Sequence, residues 1–167
     1  MSSHRLIHPR PFLIVLLLLA AASSATAQVR DWNRVDDPLY EAIGMHTGLS
    51  GGFGLSYKFP IKWWLYGQAA GGIWNNRDDN RHNVGFSLHY ILRQSGRDKL
   101  YLSAGLAHFY HREKDRTRDH INTGFGVGLE RLFGERTAVQ VEAVFTSRGD
   151  DENSLMIFPQ AGIHYYF

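Results

Sequence analysis

The sequence predicts an all-β protein: an eight-stranded antiparallel up-and-down transmembrane β-barrel. Three observations carry this expectation. From residue 40 onward, apolar residues alternate with small or polar ones in about eight stretches, the period of a β-strand. The small or polar face is mostly glycine, serine and alanine, too poor in charge to be a solvent surface, and it suits the cramped inside of a small closed barrel. Connections between the stretches alternate between short turns and longer charged segments, as in membrane barrels.

The chain begins with an element that does not belong to the fold. Arg5 and Arg10 precede an unbroken apolar run, FLIVLLLLAAA, and small residues lead to Ala25-Thr26-Ala27. This is the form of a cleaved secretory signal peptide over 1–27. Eleven apolar residues are too few to cross a bilayer, which needs roughly 20. The whole chain carries 18 Lys+Arg and 16 Asp+Glu; without the two arginines of 1–27 the charges balance, so no nucleic-acid partner is implied. The chain has no cysteine, which excludes disulfides and a lipid anchor through cysteine. A polar lead-in, 28–38, then joins one domain, 39–167.

Taken in order, the first stretch, 40–49, sets Ile43, Met45, Thr47 and Leu49 against Gly44, His46 and Gly48. The second, 52–59, sets Phe53, Leu55, Tyr57 and Phe59 against Gly54, Ser56 and Lys58. The third, 64–74, has glycine and alanine on both faces. In the fourth, Val84, Phe86, Leu88, Tyr90 and Leu92 alternate with Gly85, Ser87, His89 and Ile91. The fifth alternates Leu102, Ala104 and Leu106 with Ser103, Gly105 and Ala107. The sixth opposes Phe125, Val127 and Leu129 to Gly124, Gly126, Gly128 and Glu130. The seventh sets Val139, Val141, Ala143 and Phe145 against Gln140, Glu142 and Thr146. The eighth, 155–167, places Ile157, Ala161, Ile163, Tyr165 and Phe167 opposite Gln160, Gly162, His164 and Tyr166. Stretches of about ten residues match a tilted membrane-spanning strand.

Short turns are expected at 60–63, 94–99 and 134–136, and longer charged loops at 75–82 (NNRDDNRH), 114–120 (KDRTRDH) and 148–154 (RGDDENS). The first hairpin, around Ser50-Gly51, is tight where the alternation asks for a long loop. Trp63, Trp64 and Tyr66 near one rim, and Trp74 near the other, are expected to form aromatic girdles.

At the C-terminus, Gln160, Gly162, Tyr165 and Phe167 stand at the spacings of a polar residue, a glycine and two aromatics closing the chain. This pattern resembles the signal by which the barrel assembly machinery recognises outer-membrane proteins. The layout of 39–167 is similar to the small eight-stranded bacterial outer-membrane barrels, the group of the OmpA transmembrane domain and OmpX, from which the short first loop departs. The resemblance implies the outer membrane of a Gram-negative bacterium, with outer-membrane lipid and lipopolysaccharide as surroundings. The group holds structural and adhesive proteins and a few enzymes, so the fold alone does not name a function.

Candidate sites lie on the inward face and in the loops. His46, Lys58, His89, Glu130, Glu142 and His164 share one lumen and are read as a paired polar plug, since buried charges need partners and an eight-stranded barrel is filled by its own side chains. A proton path or narrow solute channel is the alternative use of the same residues. Lipid A deacylases and palmitoyltransferases of the outer membrane use histidine and serine; this chain offers only Ser87-x-His89, on the inward face and without an evident third group to orient the base. An acyl hydrolase or transferase is therefore the alternative, and the expectation is no catalysis and no cofactor. His108, His111 and His120 have no standard metal-site spacing. Arg148, Gly149 and Asp150 spell RGD in a hydrophilic surface segment, where an unknown surface ligand could dock. The function expected is structural, or surface binding through the charged segments.

Overall fold

A computed structural model describes residues 40–76, 79–113, 116–149 and 155–167. The expected signal peptide over 1–27, the expected lead-in over 28–38, and Asp150 lie outside the described residues. Eight strands follow one another: β1 (Ala42–Gly48), β2 (Gly52–Lys62), β3 (Leu65–Asn76), β4 (Asp79–Ser95), β5 (Asp98–Glu113), β6 (Arg116–Phe133), β7 (Thr137–Arg148) and β8 (Leu155–Tyr166). Each pairs antiparallel with the next, and β8 pairs with β1 from Ala42↔Tyr166 to Thr47↔Ala161, closing the barrel. It is an all-β, up-and-down barrel, as the alternation predicts.

Following paired residues around the barrel from Ala42 through Lys58, Gln68, Ser87, Gly105, Gly124, Thr146 and Met156 returns to β1 about ten residues further on. An even stagger keeps the inward face inward after one circuit. It also imposes a strand tilt of about 40°.

The two faces differ as period-two patterning requires. Outward stand Ile43, Met45, Leu55, Val84, Leu102, Phe125, Phe145 and Ile163, all exposed; inward stand His46, Lys58, Gln68, His89, Glu130, Gln140 and His164, all buried. Over 43–47, 53–61, 65–73, 84–92, 100–106, 121–129, 139–145 and 155–167, no outward position carries Asp, Glu, Lys or Arg. Along β4 this belt rises about 26 Å, or about 20 Å of height at that tilt.

Large side chains are seated against glycine on both faces. Inside, the Tyr101 ring covers Gly128, its partner on β6, so that a Cβ there would overlap the ring. Outside, Phe59 covers Gly67 on β3 and leans towards Phe86, 6.3 Å between centroids. Such pairs fill the space that a glycine leaves in a curved sheet.

Six sequence expectations are corrected: two charged segments, two turns and two aromatic residues. The charged segments 75–82 and 114–120 are mostly strand: β3 and β4 stay paired to Asn76↔Asp79, and β5 and β6 to Glu113↔Arg116. They form a four-stranded wall beyond the belt, where both faces carry exposed polar side chains, Arg81 and Arg118 on one and His82 and Asp119 on the other, so the apolar alternation that marks a strand is not kept. The expected turn at 60–63 narrows to Trp63-Trp64, because β2 continues through Pro60 with a register shift before Lys62, a tolerated place for proline. The turn at 94–99 narrows to Gly96-Arg97, whereas 134–136 is a turn as expected. Tyr66 is no girdle residue, since its parity on β3 turns it into the lumen beside Ile91 and Tyr101. Trp74 has the same parity, and stands on the lumen side of the wall opposite Arg81. The outward aromatic contact at that level is His82 stacked on Tyr110, 4.5 Å between centroids. Trp63 stays exposed at the opposite rim, and Trp64 leans on Tyr90 at 5.5 Å.

The tight first hairpin has a structural reason. Its tip, 49–51, folds into the barrel mouth rather than rising from it. Ser50 is 3% exposed, accepts a 2.8 Å hydrogen bond from Gln160 Nε2, and lies against Gly105 and Gly124. Asn122 donates to the Leu49 carbonyl at 3.2 Å. Gly52, at φ +88°, and Gly54, at φ +126°, supply the left-handed backbone that turns the tip inward.

Candidate functional site

The lumen gathers all six inward polar residues expected from the sequence, each buried. Centred on Glu130, β6 meets β2, β5 and β8. Glu130 pairs with the Lys58 ammonium, lies 3.3 Å from Lys99 Nζ, and accepts the Tyr166 hydroxyl at 2.7 Å. Lys58 also donates to Gln140 Oε1 at 3.0 Å. Gln140 Nε2 and the Tyr101 hydroxyl donate to Glu142 Oε1 at 2.9 and 2.8 Å. Lys99 lies over the rings of Tyr66 and Tyr166, 4.9 and 4.8 Å from their centroids. Two lysines thus face two glutamates, and this balance is what a low-dielectric interior demands.

The histidines occupy separate places in the same column. His89 stacks on Tyr101 at 4.6 Å, while Ser87 Oγ and Glu142 Oε1 both approach its Nε2, at 3.2 and 3.5 Å. The sequence shows no third partner for the Ser87–His89 pair, and the structure supplies Glu142. Yet both groups lie at one ring nitrogen, and Nδ1 has no hydrogen-bond partner. A base between nucleophile and carboxylate uses its two nitrogens for the two partners. His164 Nε2 meets Ser56 Oγ at 3.1 Å, and His46 Nδ1 donates to the Gly52 carbonyl at 3.0 Å, fastening β1 to the tucked tip.

Little space is left in this column. The cavity bounded by Lys58, Tyr66, His89, Lys99, Glu130 and Tyr166 measures about 10 Å³, the scale of a single water. The mouth above it carries the tucked tip. The network also takes in Tyr101, Lys99, Gln140 and Tyr166, which stand outside the six polar residues expected from the sequence. Their inward parity was the available signal, but neither Lys99 nor Tyr101 falls within the stretch recognised as the fifth strand, which starts at Leu102.

The other candidates are dispersed. His108 pairs with Asp119 at 2.5 Å, His111 lies 3.0 Å from Asp79, and His120 stacks on Phe109 at 5.6 Å. Among the described residues no three His, Cys, Asp or Glu are grouped to hold a metal ion. Arg148 ends β7 and Gly149 follows in a turn, while Asp150 lies outside the described residues.

The four residues of the C-terminal pattern divide between the faces. Gln160 is buried against Ser50, and Gly162 leaves room for the rings of His46 and His164. Tyr165 and Phe167 project outward, about half exposed. The Phe167 amide donates to the Glu41 carbonyl at 3.0 Å, tying the end of the chain beside β1. No protein-family model matches the chain, and no curated protein matches it.

Proposed function

We propose that this chain is an integral outer-membrane barrel without catalytic activity or cofactor, serving a structural or surface-binding role. One observation carries the reading: the barrel is inverted relative to a soluble one. Its outside is a largely apolar belt without charged residues and its inside a charge-balanced polar network, an arrangement stable where lipid surrounds the belt. Lipid and the acyl part of lipopolysaccharide are the partners that belt fits. The leader 1–27 supplies export, and Gln160, Gly162, Tyr165 and Phe167 supply the feature read by the barrel assembly machinery. Closure leaves no unpaired strand edge within the belt, as hydrocarbon requires. The filled lumen favours a plug over a solute channel. The burial of Ser87 and His89, at 5% and 1% exposure, favours a structural pair over lipid chemistry. The wall of β3–β6 above the belt is the part that would meet the exterior.

The test is membrane fractionation together with gel mobility. The protein should co-fractionate with outer membranes and migrate faster unboiled than boiled. Deleting Phe167 should lower the yield of the fast-migrating form. Soluble, heat-indifferent protein in the periplasm would overturn the proposal.

A further inference from the structure

The lumen-side face of the wall carries a row of side chains that the barrel does not need for closure. Cross-strand partners run straight across four strands: Trp74 on β3 faces Arg81 on β4, Arg81 faces His111 on β5, and His111 faces Arg118 on β6. At about 4.8 Å between strands the row spans about 14 Å. Trp74 is 69% exposed at one end, and Arg118 is exposed at the other. Asp79 sets the middle of the row. It holds Arg81 through two contacts, 2.9 Å to Nε and 2.7 Å to a terminal nitrogen, and lies 3.0 Å from His111 Nε2. One carboxylate thereby orders Arg81 and His111; Arg116, farther along β6, stands opposite Glu113, so Arg118 is the guanidinium at the far end of the row.

We infer that this row is a binding face for an acidic oligosaccharide of about three sugar units, one ring stacked on Trp74 and a carboxylate at Arg118. The inference rests on the surface-binding reading above. An exposed indole on the lumen side of the sheet suits the C–H face of a sugar ring, and the guanidinium fork of Arg118 suits a carboxylate. The direction of the row argues against a peptide. A peptide adding to a sheet runs along an edge, parallel to the strands, whereas this row crosses them.

The experiment uses the full mature chain refolded in an uncharged detergent and titrated calorimetrically with an α-linked trigalacturonate. A neutral trisaccharide, an aspartate-rich peptide and inorganic phosphate are titrated in parallel. The uronate should bind, the three others at least tenfold more weakly. Trp74→Ala and Arg118→Ala should each lower uronate affinity at least tenfold while keeping the heat-dependent gel shift. No uronate binding at millimolar concentration by protein that keeps its gel shift would overturn this inference and leave the barrel reading standing. Equal binding of the peptide, of phosphate or of the neutral sugar would overturn it as well. So would uronate binding that both variants retain. Protein without the gel shift would count against the barrel reading itself.

Discussion

Glu130 has three partners in the lumen: the Lys58 ammonium, Lys99 and the Tyr166 hydroxyl. The Lys58 and Glu130 side chains are only 4% and 3% exposed, so neither charge is relieved by water. Replacing Glu130 by glutamine keeps the shape and strands two lysines with one carboxylate, Glu142, between them. Glu130→Gln should therefore lower the unfolding free energy by about 3–5 kcal/mol, the range for breaking a buried pair from one side. Lys58→Met should cost less, because Lys99 and Tyr166 still hold Glu130. Urea titration of vesicle-refolded protein measures both, and equal losses would mean that Glu130 is not the centre of the network.

At the level of elements, two features stand apart from a plain barrel. The tucked tip is held by space as much as by hydrogen bonds: a Cβ added at Gly85 of β4 would overlap the Gly51 and Gly52 backbone. Gly85→Ala should lift the tip and cost about 1–3 kcal/mol. Hydrogen exchange should accelerate at 49–52 and stay unchanged along β5–β7; unchanged exchange at the tip would contradict this packing. The wall adds a charged clamp to its backbone ladder. The Arg81 hydrogen bond is the main reason that the Asp79 carboxyl, above the belt, titrates below the ordinary carboxylate range. A lowered value means that the clamp on Arg81 and His111 is complete above that range and is lost as pH falls through the lowered value. The Asp79 carboxyl resonance should therefore titrate below the ordinary carboxylate range. Amide protection in the wall should fall with it while the barrel ladder persists, and Asp79→Asn should remove that step.

For the whole molecule, the inverted distribution of polarity makes a prediction that a soluble barrel cannot share. Leu88 is an outward residue in the middle of 84–92. With lipid around the belt, Leu88→Arg should destabilise the folded state by about 2–4 kcal/mol. In water, an arginine at an exposed position would change stability by about 0.5 kcal/mol or less. Unfolding of the vesicle-refolded variant distinguishes the two, and a negligible loss would remove the belt from contact with lipid.

The strand count, the alternation of faces and the inward placement of His46, Lys58, His89, Glu130, Glu142 and His164 were legible in the chain because parity along a strand is local. A residue and its second neighbour share a face whatever the rest of the molecule does. Parity also placed Gln160, Gly162, Tyr165 and Phe167 on their faces. The length of the strands was less legible: above the belt both faces meet water, so NNRDDNRH and KDRTRDH lose the alternation and read as loops. Tyr66 and Trp74 were misjudged because β3 carries small residues on both faces and hides its own phase. Other features depend on stagger and closure, which no local pattern encodes. The barrel had to close before Glu130 could meet Lys58, before Glu142 could reach His89, and before Ser50 could settle against Gly105 and Gly124. Outside β3 and the charged segments, sequence by itself determined which side of the barrel each residue faces; tertiary structure decided what it meets there, because a partner on another strand is chosen by register.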